Sequence, residues 1–154
     1  MRAQFLPPAK LRITESASMK IRLSLSFALF VLTVASAGVS AQVVAVVGAK
    51  SPTSPMSKEQ VTAAFMGKIA GVEPIDLVED SPAREQFYAK ELGRSVSQLR
   101  SYWARLSFTG KGAPPRQYPD SSEVKKVLSE NLHAIGYIEK TAVDASVKVV
   151  YEGR

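Results

Sequence analysis

The order of apolar and polar positions beyond residue 42 predicts strands that alternate with helices. The continuous β-branched run Val43–Val47 is typical of a strand buried on both faces. Further strands are predicted at 74–78, 134–138 and 147–151, and segments of helical periodicity lie between the strands. This alternation predicts an α/β fold, a mixed or parallel sheet flanked by helices.

Two of the predicted helices begin at capping boxes. Ser57 with Gln60 opens the first helix, and Ser95 with Gln98 opens the third. The apolar residues of the third helix recur at the spacing of a core-facing stripe. Its aromatic pair, Tyr102–Trp103, is therefore interpreted as packing rather than as a ligand platform.

The junction between the second strand and the second helix is the most informative part of the chain. Ser81 is predicted as the N-cap and Pro82 as the first helical position, with the helix ending at Gly93. Free backbone N–H groups at a helix start hold anions, and a cation there opposes the helix dipole. Arg84 is such a cation, so it either helps to bind an anion, pairs with Asp80, or extends into solvent.

A second hydroxyl-rich segment follows the first strand. Ligands of α/β sheets bind at the carboxyl ends of the strands. We therefore expect the loop Ser51–Pro55 to lie on the same sheet edge as Ser81. The loop 109–119 is rich in glycine and proline, and its Lys111 is either a mobile lid residue or a solvated lysine.

Residues 19–41 have the pattern of a secretory signal peptide. Basic residues at Met19–Arg22 precede an apolar segment, Leu23–Val34, and small residues continue to Ala41. We expect cleavage after Ala41 and a periplasmic location for the product. Residues 1–18 are interpreted as an upstream extension.

This interpretation leaves Met1 or Met19 as the true start and 42–154 as a single exported domain. An uncleaved membrane anchor is the competing interpretation, because no charged residue occurs from 23 to 49. Small and polar residues interrupt that stretch. We therefore favour cleavage, with no membrane insertion of the mature chain.

Charge and composition argue against several classes of function and site. The formal net charge is +6, but five of the twenty basic residues and one of the fourteen acidic residues precede residue 42. The remaining +2 does not predict nucleic-acid binding. The chain has no cysteine, which removes disulfides and thiolate metal sites.

The sequence contains no constellation that indicates catalysis. The single histidine, His133, lies between a predicted helix and a strand and is interpreted as a capping or solvent-exposed residue. Metal-ligand spacings, a nucleophile elbow, a P-loop and a dinucleotide fingerprint are all missing. We predict no enzymatic activity, no cofactor and no metal.

Three segments in series resemble the periplasmic phosphate-binding proteins of ABC transporters. The segment 57–68 (SKEQVTAAFMGK) resembles their "sxeqlxxiFxGK" helix. The segment 80–87 (DSPAREQF) resembles their "gSGTrxxF" phosphate loop, and 134–137 (AIGY) resembles their "AIGY" strand. The resemblance covers nearly all of 43–150 and implies a short, single-lobe relative with the type II periplasmic-binding-protein topology.

By position, the resemblance implies that Ser81 and Arg84 contact a phosphate or similar oxyanion. Thr53 and Ser54 would add hydroxyl donors from the loop after the first strand. Pro82-Ala83 replaces the family's Gly-Thr, so one hydroxyl and one N–H are lost.

The implied function is an exported phosphate- or oxyanion-binding module. Its implied partners are an ABC transporter or a signalling protein, with a homodimer as one way to complete the cleft. The alternative is a periplasmic accessory protein that has kept the lobe and lost the ligand.

Overall fold

The computed structural model describes residues 41–153, and the predictions for the upstream extension and most of the signal peptide lie outside them. Five strands form one sheet: β1 Val43–Gly48, β2 Glu73–Leu77, β3 Arg116–Tyr118, β4 Ala134–Glu139 and β5 Val147–Glu152. Four α-helices accompany it: α1 Lys58–Phe65, α2 Pro82–Gln86, α3 Val96–Phe108 and α4 Ser121–Glu130. The predicted α/β class with a mixed sheet is confirmed.

The sheet has the strand order β3-β2-β4-β1-β5. β2 runs parallel to both of its neighbours, β3 and β4. β1 runs antiparallel to β4 and β5, so it is also opposite in direction to β2. The carboxyl ends of β1 and β2 therefore point in opposite directions along the strand axis, and the loops that follow them leave opposite sides of the sheet.

The predicted helix starts are confirmed in detail. Ser57 and Ser95 both accept a hydrogen bond from the backbone N–H three residues later. The side chains of Gln60 and Gln98 accept from the backbone N–H of these two caps, so each capping box is complete. The cap of α4 is Asp120, whose side chain accepts from two backbone N–H groups.

Helix α2 is short because its hydrogen-bond pattern changes after one turn. It continues as a π-helical turn, Phe87–Glu91, before Gly93 adopts a φ of +63°. Phe87 and Tyr88 are fully buried. The π-turn therefore carries two aromatic side chains into the core.

The core lies on the interior strand β1 and on an aromatic cluster. All six residues of β1 are buried. The rings of Phe87 and Tyr137 stack at a centroid distance of 4.1 Å, and Phe65 packs edge-on against Phe87 at 4.9 Å. Trp103 is also buried, which agrees with its interpretation as packing. None of the helices within 41–153 has the length and apolarity that crossing a bilayer requires.

Candidate anion-binding site

A buried acid marks the carboxyl end of β2. Asp76 is 2% exposed and lies between the apolar core residues Ile75 and Leu77. Its Oδ1 accepts hydrogen bonds from the Leu77 N–H at 2.9 Å and from the Tyr137 hydroxyl. Burial raises the pKa of Asp76 above its ordinary value, although the Tyr137 hydrogen bond and the Arg84 charge act in the opposite direction.

The first-turn cation predicted from sequence is the partner of this acid. The Nε of Arg84 donates to Asp76 Oδ2 at 3.0 Å, and Arg84 is only 5% exposed. Its guanidinium carbon lies 5.5 Å from the centroid of the Tyr88 ring. Arg84 therefore neither pairs with Asp80 nor extends into solvent. A buried ion pair holds it in place.

Three buried polar atoms in the described part of the chain have no hydrogen-bond partner. They are Arg84 Nη1, the Tyr88 hydroxyl and Trp103 Nε1. Asp76 uses only the Nε edge of the guanidinium, so part of the donor fork of Arg84 is unspent. Leaving a buried donor without an acceptor is costly, and most buried polar groups in native proteins have a partner in the protein, a water or a bound ion.

The start of α2 has fewer free hydrogen-bond donors than the sequence predicts. Ser81 is the N-cap, as predicted, but its side chain makes no capping hydrogen bond. Its N–H donates to the carbonyl of Val78 at 3.1 Å, and Pro82 has no N–H. An anion at this helix start would therefore meet the Ser81 hydroxyl rather than the Ser81 amide.

The expectation that the loop Ser51–Pro55 shares an edge with Ser81 is wrong. Because β1 is antiparallel to β2, the loop leaves the sheet at the opposite edge. Ser51 Oγ donates to the carbonyl of Leu132, just before β4, and lies 3.0 Å from Thr53 Oγ1. Thr53 and Ser54 consequently do not join Ser81 and Arg84 in one site of a single chain.

A cavity of about 250 Å³ opens on the α3 side of Arg84. The side chains that matter for its chemistry are Arg84, Leu99, Arg100, Trp103, Pro114 and Gln117. Arg84 and Trp103 are the two members of this set that carry an unpartnered buried donor. At the rim, Arg100 Nη2 donates to Glu79 Oε2 at 3.0 Å, and both of these side chains are exposed.

Two residues of this candidate site are not predicted from the sequence. Asp76 was included in an apolar strand, and Tyr137 was part of a strand motif. A signal for Asp76 was present, because an acid within a buried strand requires a partner. The exposed histidine, His133, lies before β4, and its backbone N–H donates to Asn131 Oδ1 at 2.9 Å.

Solved structures share this fold. An ABC-type phosphate transport receptor from Vibrio cholerae superposes with a TM-score of 0.56 at 20% identity, covering 71% of this chain and 45% of the receptor. A protein from Clostridium perfringens, assigned as a phosphate ABC transporter substrate-binding protein and solved with bound phosphate, gives 0.58 at 19%, covering 71% and 44%. The chain has the fold of part of a phosphate-transport receptor.

The similarity is one of fold. The chain spans less than half the length of either receptor. Comparison of the sequence with protein-family models and with curated proteins finds no match. The resemblance inferred from the three sequence motifs thus agrees with the architecture, and the ligand is a separate question that the site itself must answer.

Proposed function

We propose that the protein is an exported oxyanion-binding module, with inorganic phosphate as the first ligand to test. The observation that carries this proposal is the buried cation Arg84 in the first turn of α2. Its Nη1 group has no hydrogen-bond acceptor within the described residues. The proposal is supported by the fold shared with phosphate-transport receptors. Ser81 would add its hydroxyl, which makes no capping bond.

The expected affinity is low. A charge-assisted hydrogen bond contributes about 1.5–3 kcal/mol, and Ser81 and Arg84 supply two such bonds before the costs of association. Micromolar binding requires about 8 kcal/mol. A single chain should therefore bind phosphate only in the millimolar range, unless a second copy or a transporter or signalling partner covers the site.

Titration calorimetry with phosphate tests the proposal, using the protein purified after expression of the full 154-residue chain. Arg84→Lys keeps a charge opposite Asp76 and removes the guanidinium fork, so it should weaken binding at least fivefold. Arg94→Lys, at an exposed arginine, is the matched control. Absence of heat up to 10 mM phosphate, or equal binding by both variants, would contradict the proposal.

A second function is favoured by the chemistry of the pair. Asp76 already neutralises Arg84, and Ser81 and Pro82 offer no free amide. Both features suit an accessory protein that keeps the lobe without the ligand. In that case a stoichiometric partner should co-purify in phosphate-free buffer, and Arg84→Lys should leave that association unchanged.

A further inference from the structure

The cavity between α3 and the segment before β3 differs from an inorganic phosphate site in its walls. Leu99, Trp103 and Pro114 provide apolar surface. The volume of about 250 Å³ corresponds to about eight water molecules at liquid density, since each takes ~30 Å³. A phosphate ion would fill part of this space and leave the apolar walls wet.

The charges around the cavity favour a monoanion. Arg84 is balanced by Asp76, and Arg100 at the rim is balanced by Glu79. Because both cations are compensated, the cavity has no net positive charge to offset a second negative charge, which favours a monoanion over a dianion. A carboxylate carries a single charge, and its oxygens match the geometry of guanidinium donors.

Two side chains of the cavity lining carry buried hydrogen-bond donors that have no acceptor among the described residues. Arg84 and Trp103 line the cavity, are 5% and 7% exposed, and each has a buried donor without an acceptor. An acceptor bound in the cavity could satisfy these donors once the two side chains turn toward it. Arg84 would then use its Nε for Asp76 and its Nη1 for the ligand.

We propose that this cavity binds a small carboxylate that carries an apolar group, held by Arg84 and Trp103. The inference rests on the proposed oxyanion binding and narrows its ligand class. The carboxylate accepts from the guanidinium and the indole N–H, and the apolar group packs between Leu99 and Pro114.

Trp103 is the only tryptophan of the chain, so its fluorescence reports directly on the cavity. The probe is cyclohexanecarboxylate, which fits the volume and does not absorb where tryptophan does. We expect a saturable change with a dissociation constant in the millimolar range, and at least fivefold weaker binding of the neutral analogue cyclohexylmethanol. Without a saturable change, or with equal binding of the two compounds, the inference is overturned.

Two leucine substitutions on α3 separate the cavity from the rest of the helix. Ala104→Leu enlarges a side chain of the cavity lining and should abolish the fluorescence response to the probe. Ser101→Leu adds a leucine at an exposed position of the same helix outside the cavity lining and should leave the response unchanged. A normal response from the Ala104→Leu variant, with unfolding equal to the parent, would refute the site.

A parallel titration with inorganic phosphate distinguishes this inference from the proposed function. If phosphate binds in calorimetry and the carboxylate does not, the phosphate proposal stands and the inference fails. If the carboxylate binds and phosphate neither binds nor competes, the inference stands and phosphate is the wrong ligand. Competition between the two would place both at Arg84 and support both.

Discussion

Replacement of Asp76 by asparagine tests whether the buried ion pair organises this end of the sheet. The Nε of Arg84 lies 3.0 Å from Asp76 Oδ2, and the two side chains are 6% and 2% exposed. Asparagine keeps an oxygen for the Leu77 N–H and the Tyr137 hydroxyl but removes the charge that compensates Arg84. Breaking a buried pair in this way costs about 3–5 kcal/mol.

That cost is a large fraction of the free energy of unfolding of a typical domain, about 5–15 kcal/mol. Urea unfolding followed by Trp103 fluorescence should show the midpoint of Asp76→Asn lowered by about 2 M, given a slope of about 1–3 kcal/mol per molar. Glu79→Gln is the matched control, because its pair with Arg100 has the same 3.0 Å separation but is exposed. Its cost should stay below about 1 kcal/mol.

A second substitution tests whether the loss of stability comes from the uncompensated charge of Arg84 or from packing. Arg84→Met in the Asp76→Asn background removes the uncompensated cation and should recover most of the lost stability, because buried pairs are replaceable by apolar side chains. If Asp76→Asn costs no more than Glu79→Gln, the pair is not a structural element and the reasoning fails. If Arg84→Met gives no recovery, the loss arises from packing rather than from the buried charge.

Four further predictions follow from individual contacts. Tyr137→Phe should cost about 1–3 kcal/mol in urea unfolding because it removes a donor to the buried carboxylate, whereas Tyr88→Phe should cost less because its hydroxyl makes no direct hydrogen bond within residues 41–153; equal effects would contradict this. Burial raises the pKa of the Tyr88 and Tyr137 hydroxyls. Their contribution to the free energy of unfolding is therefore present below about pH 10 and is lost above it. An alkaline absorbance titration should show both hydroxyls ionising only as the protein unfolds. A hydrogen bond from a lysine lowers the pKa of Asp144, so its contribution is present above the unfolded value of about 4 and is lost as the pH falls; the Asp144→Asn penalty should shrink between neutral pH and about pH 3, and a constant penalty would refute this. Gly48→Ala should cost about 1–3 kcal/mol, because a Cβ there would lie 2.1 Å from the carbonyl oxygen of Leu128, and unchanged thermal unfolding would show that this backbone yields.

Local signals were sufficient to place most elements of the fold. The capping residues Ser57 and Ser95 fix their helix starts through bonds within three residues, so a short window contains the whole cause. The strand Arg116–Tyr118 was missed because it is three residues long and mostly exposed, and only its pairing with β2 makes it a strand. Its existence depends on a neighbour that is distant in sequence.

The sequence predicts only part of the candidate site, because only some of its contacts are local in sequence. The helix start at Ser81 and the unusual Arg84 were visible locally, whereas the partner Asp76 lies eight residues away across a strand, a turn and a helix. The direction of β1 was not visible, because its paired strands begin about ninety residues later. The grouping of Thr53 and Ser54 with Ser81 failed for that reason.

The antiparallel strand β1 also constrains how the chain folds. β1 is the first strand of the sheet, yet both of its neighbours, β4 and β5, come from the last twenty-one residues of the chain. Until those residues have been synthesised, an entirely apolar strand has two open edges, which is a hazard for association with other chains. Ribosome-stalled or C-terminally trimmed products ending before 147 should therefore aggregate, and contacts of such long sequence separation predict slow folding.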